Sequence, residues 1–151
     1  MSTKPQPQSW FRSINLARLL LALVLISNLY AAAGFLFTPQ QFIASYELAG
    51  APGEAAVAGM GLLFLMWQVP YVVALIDPLG HKISLVEAVI MQSLGVIGET
   101  FILLRIPAQH VVLKSGIARF IVFDLAGLAL LVIAWLIVNG ILREIERKNG
   151  I

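Results

Sequence analysis

Two acidic residues lie in long apolar surroundings and are the strongest candidates for chemistry in this chain: Glu99, six residues before Arg105, and Asp124, seven residues after Ile117. In helices rising 1.5 Å per residue, both carboxylates fall about 9–10 Å inside the same boundary of a bilayer. An ionisable group at that depth costs roughly 2.5–3.5 kcal/mol on insertion scales, so each needs a partner, a cavity or a proton. If their helices are neighbours the two acids can face one another. Two carboxylates in a low dielectric do not both ionise cheaply, so the pair is expected to share a proton. Arginine offers the other route to neutrality. Asp124 is five residues from Arg119 and Glu99 six from Arg105, separations that put each pair on different faces of its own helix. An ion pair would therefore cross between helices, Glu99 with Arg119 or Asp124 with Arg105. A proton relay, a cation site, an acid–base pair and a purely structural interhelical clamp are all open to these acids.

A second polar layer lies nearer the midplane: Asn28, Gln68 and Gln92. Gln92 and Glu99 are seven residues apart and share a helix face with Ala88 and Gly95, a small and polar stripe that suits the interior of a bundle. Trp67-Gln68-Val69-Pro70-Tyr71 interrupts its span, because Pro70 cannot donate to the carbonyl of residue 66. Pro70 is a candidate hinge, and Trp67 and Gln68 are candidate pocket walls, with Trp67 offering a flat apolar or cation-stacking face.

The elements that must position these residues follow from composition. Of 151 residues 60% are apolar and 12% charged, with a mean hydropathy of +0.91, which excludes a water-soluble monomer. The net charge of +2 is too small and too scattered for a nucleic-acid surface. With no cysteine, disulfides, thiolate metal sites and thiol catalysis are excluded. Four apolar stretches, 16–37, 55–76, 85–104 and 117–138, each match the roughly 20 residues needed to cross a bilayer. Run-on apolar sequence such as Leu19 to Ile26 has no strand alternation. The expectation is an all-α polytopic membrane protein: four transmembrane helices in an antiparallel bundle, forming a single membrane domain. Ala31-Ala32-Ala33 resembles a signal-peptide cleavage site, but the apolar run continues through Phe37, as a retained helix requires.

Lys4, Arg12, Arg18, Lys82, Arg143, Arg147 and Lys148 gather on one side, against Arg105, Lys114 and Arg119 on the other. Seven against three predicts a cytoplasmic N-terminal segment (1–13) and C-terminal tail (142–151), in a cell (inner) membrane. In the connections, Thr38-Pro39-Gln40-Gln41 has a capping-box pattern that predicts a short interfacial helix running to Tyr46 or Glu47. Gly50-Ala51-Pro52-Gly53 is expected to break the chain before the second span, and Asp77-Pro78-Leu79-Gly80 to make a tight turn. Ser84 and Glu87 form a second capping-box pattern, and Ile106-Pro107 ends the third span. Arg18 is placed to snorkel to the headgroups, Trp10 and Phe11 to anchor at the interface, and Glu144 and Lys148 to pair on a helical tail.

His81 and His110 fall on opposite sides of this topology, so they cannot share a haem or a metal. Phosphate loops, dinucleotide glycine motifs, Gly-x-Ser-x-Gly and His-Glu-x-x-His are absent. No cofactor or metal is expected. The first span, followed by Phe37-Thr38-Pro39-Gln40-Gln41-Phe42, a short amphipathic helix, a Gly-rich break and three further spans, resembles the small DoxX-like and related four-helix bacterial membrane proteins. That resemblance implies a compact membrane protein, often an accessory to a membrane redox or lipid process. Three functions fit the residues. One is an intramembrane carboxylate-lined pocket that binds or passes a small amphiphile, a cation or a proton. The second is a non-catalytic accessory subunit, with the bilayer, a second copy or a membrane protein as partner. The third is a membrane enzyme on a lipid or isoprenoid-like substrate, with Glu99 and Asp124 as acid and base.

Overall fold

The computed structural model describes residues 8–149, and among them there is no strand. Lys4, counted above toward the orientation, lies outside the described residues. Five α-helices follow in order: α1 (Gln8–Phe37), α2 (Gly50–Trp67), α3 (Val69–Ile76), α4 (Lys82–Arg105) and α5 (Val111–Asn149). With α2 and α3 taken together, four segments are long and apolar enough to cross a membrane. Tyr30, Phe37, Ile97 and Leu104 are all more than half exposed, as lipid-facing side chains of a bundle are.

The core is a column of aliphatic and small residues. Ala17, Leu21, Val24 and Leu25 of α1 meet Tyr71 and Ala74 of α3, Leu85 and Ala88 of α4, and Leu131, Ala134 and Val138 of α5. α2 packs against α1 and buries Gly53, Val57 and Gly61, of which Gly53 faces Ile43 and Leu48 of the preceding connection and Gly61 faces α1. At Gly61 the two backbones nearly touch: a Cβ there would stand 2.7 Å from Leu36 N and 2.9 Å from Ala32 O. Only glycine permits that approach.

At one end of the bundle, Trp10 Nε1 donates to Glu144 Oε2 at 2.8 Å, joining the start of α1 to the last turns of α5. Lys148 pairs with Glu144 at 2.6 Å and lies over the Trp10 ring. Trp10 thus has a protein partner, while Phe11 is exposed. The Arg18 guanidinium donates to the Ile76 carbonyl at 2.9 Å, closing the C-terminus of α3.

The connections differ from their sequence patterns in instructive ways. Residues 39–46 form two short 3-10 turns, Pro39–Gln41 and Ile43–Tyr46, and not one continuous helix. Thr38 does not cap them, because its hydroxyl donates to the Gly34 carbonyl, the last turn of α1, at 2.9 Å. Glu47, with a left-handed φ of 54°, ends the second turn. The Gly50–Gly53 tract is the first turn of α2, not a break before it. The Ser84/Glu87 capping box does not form either: α4 begins at Lys82 behind His81, no side chain caps it, and Glu87 is exposed. Asp77 does make its turn, accepting from Leu79 N at 3.2 Å and Gly80 N at 3.1 Å. α4 stops at Arg105 before the extended Ile106, whose carbonyl receives Lys114 Nζ at 3.4 Å.

Candidate functional site

The polar residues of the spans fall into two regions. The first is a closed knot. Gln92 of α4 is its centre: Nε2 donates to Asp124 Oδ1 at 2.9 Å and reaches the Asp124 carbonyl at 3.4 Å, while Oε1 accepts from Tyr71 OH at 2.7 Å. Asn28 Nδ2 of α1 donates to Gln68 Oε1 at 3.3 Å, and Gln68 Nε2 donates to the Phe64 carbonyl at 2.8 Å. Asn28, Gln68, Gln92 and Asp124 are each 6% exposed or less. Backbone geometry makes the fit possible. Gly95 leaves room for Asp124 Oδ2, which a methyl at that position would strike, and Gly127 leaves room for Gln92 Nε2.

The same knot answers the helix break. Gln68 N bonds to Leu65 O at 3.1 Å, a tighter turn that frees the Phe64 carbonyl, and the Gln68 side chain then occupies that carbonyl. Pro70 sits in the first turn of α3, where its missing N–H matters least. The break therefore has the carbonyls of Phe64 and Leu65 satisfied within the protein at membrane depth. Trp67 lies at the edge, stacked on Phe64 and 44% exposed. The space left among these residues is about 20 Å³, room for about one water molecule.

The second region is a cavity of about 380 Å³ around Glu99. Its walls are Phe35, Tyr46, Met60, Phe64, Ile102, Ile106, Leu113, Ile117 and Phe120. Apart from the Tyr46 phenol, Glu99 brings the only polar side chain. Glu99 Oε2 is buried and accepts no hydrogen bond. Tyr46, at the end of the 3-10 turns, keeps its proton: burial is the main cause that pushes its phenol up to about 12, with the nearby Glu99 carboxylate second.

The acids are thus assigned to different chambers, Asp124 to the knot and Glu99 to the cavity, and no hydrogen bond joins them. Neither forms an ion pair with the arginines matched to them. Arg105 lies 4.0 Å over the Phe101 ring, and Arg119 is exposed at an open groove of about 570 Å³ that shares Phe35 and Phe120 with the Glu99 cavity. Tyr71, Phe35, Tyr46 and Phe120 are functional candidates that the sequence pattern did not single out. A phenol three residues after Gln68, across the proline break, was the available signal for Tyr71. The others are aromatics in an apolar chain, and only their packing around one another distinguishes them.

Below the loops, Glu47 binds His110 through Oε2 and accepts from Leu113 N at 3.2 Å, capping α5. The His110 hydrogen bond is the main cause that holds the Glu47 carboxyl below its ordinary value. Among the described residues no group of three or more His, Asp and Glu side chains gathers to hold a metal.

No family model, curated protein or solved structure matches the chain. The DoxX-like resemblance is one of layout, and it carries no functional residue over to these positions.

Proposed function

We propose that this chain is an inner-membrane protein whose four spans form an antiparallel bundle with both termini in the cytoplasm. In its interior it holds a small amphiphile in the Glu99 cavity. The topology is supported by the excess of lysine and arginine on one side, seven against three, and by the Trp10–Glu144 and Arg18–Ile76 contacts at that end. One observation carries the ligand: Glu99, whose buried Oε2 has no hydrogen-bond donor, lines an apolar cavity of about 380 Å³, within the size range of small-molecule sites. A hydroxyl or ammonium group supplies the missing donor, and an apolar body fills the aromatic and aliphatic walls. Arene faces of Phe35, Phe64 and Phe120 also favour a cation. Asp124, whose Oδ1 accepts from Gln92 in a space of about 20 Å³, acts as a clamp in this reading and not as a second binding acid.

Native mass spectrometry of the protein released from mild detergent, with wild type, Glu99→Gln and Asp124→Asn compared, tests the proposal. The expected result is a small molecule carried by wild type and by folded Asp124→Asn, and missing from folded Glu99→Gln. If all three carry only bulk lipid, the cavity is not a ligand site.

A further inference from the structure

On the lipid side of the Phe35–Phe120 wall lies the open groove between α1 and α5. Its floor is carved by small residues, Ala33 and Gly34; a methyl at Gly34 would stand 3.1 Å from the Phe42 ring. Tyr30 and Phe37 rim it and are 83% and 76% exposed. Seven residues separate them along α1, so the apolar trough runs about 10 Å down the helix. Polar donors collect at one end. Arg119 and Gln41 line the groove there, both exposed, and neither side chain has a hydrogen-bond or ionic partner among the described residues. Arg119 lies two residues beyond the start of the 117–138 apolar stretch, about 3 Å inside its boundary and within reach of lipid headgroups.

We propose that this groove is a binding site for one anionic phospholipid of the surrounding bilayer. Its phosphate is held by Arg119 and Gln41, and an acyl chain lies in the trough from Phe37 down to Tyr30. The charge fits: a planar guanidinium takes a phosphate oxygen pair in a fork. The shape fits as well, since the cation stands at the loop end, beside Thr38 and Gln41, and the apolar trough points toward the membrane interior. This site is independent of the Glu99 cavity, with which it shares only the two phenylalanines.

The test is titration of the full chain in mild detergent with phosphatidylglycerol and with phosphatidylcholine of identical chains, followed by native mass spectrometry. Wild type should bind the first lipid about fivefold more tightly. Arg119→Gln should abolish that preference, Arg119→Lys should keep part of it, and Arg105→Gln should leave it unchanged. Ala33→Trp, which fills the floor and spares the charge, should weaken both lipids. Glu99→Gln should leave the preference intact, so that a failure here and a failure of the interior site read differently. The proposal is overturned if wild type shows no preference, if the preference survives in Arg119→Gln, or if Arg105→Gln removes it equally. Should Arg119→Gln not fold, Ala33→Trp decides: unchanged binding of both lipids also overturns the site.

Discussion

The knot around Gln92 and the cavity around Glu99 contain the same kind of residue, a carboxylate deep in a span, and treat it in opposite ways. Asp124 is enclosed by a donor, by a neighbouring helix that has glycine where a side chain would collide, and by almost no free volume. Glu99 has a buried oxygen without a donor, and its side chain lines a wide apolar chamber. A polar side chain within a membrane therefore does not by itself mark a site. What separates glue from a site is whether its hydrogen bonds are already made and whether space remains beside it.

Substitutions can break this contrast, beginning with the one that removes both regions at once. Gly61→Ala pushes a methyl into the Leu36 and Ala32 backbone, which cannot yield as a flexible side chain would. It should cost about 3 kcal/mol, the upper end for overpacking, read as loss of folded protein in detergent unfolding. Gln92→Leu opens the knot alone. It removes three hydrogen bonds between helices, and at about 0.6 kcal/mol each in a membrane the loss should be about 2 kcal/mol by the same measurement. Glu99→Leu should have the opposite sign, raising stability by about 1 kcal/mol because it deletes a buried acceptor that has no partner. Equal losses for Gln92→Leu and Glu99→Leu would erase the contrast between the two regions.

The smallest effect belongs to the exposed Glu47–His110 contact. Since the folded carboxyl lies below the ordinary 4.5, its contribution is complete above that value and disappears as pH falls through the lowered one. Melting temperature should therefore drop slightly more steeply on acidification in wild type than in Glu47→Gln. Parallel curves would show that the contact contributes nothing.

The spans were legible in the sequence because twenty apolar residues in a row have few other uses. The membership of Asn28, Gln68 and Gln92 in one layer followed from their depth. The division of Glu99 from Asp124 did not: depth along a helix is fixed by residue number, but the direction a carboxylate turns depends on the glycines and amides of the opposite helix. The two capping boxes failed for a related reason. Thr38 had a nearer acceptor in the unfinished last turn of α1, and Lys82 started its helix two residues before Ser84. The aromatic wall of Phe35 and Phe120 was illegible because its significance lies in what stands on either side of it.

The close approach at Gly61 bears on how the bundle is built during synthesis. α1 and α2 are neighbours in the chain, and the backbone contact that joins them requires no later residue. The Gln92–Asp124 lock, by contrast, waits for α5, which is made after α1 to α4. A paired α1–α2 hairpin can thus settle in the bilayer first, and the polar lock closes only once α5 has joined it.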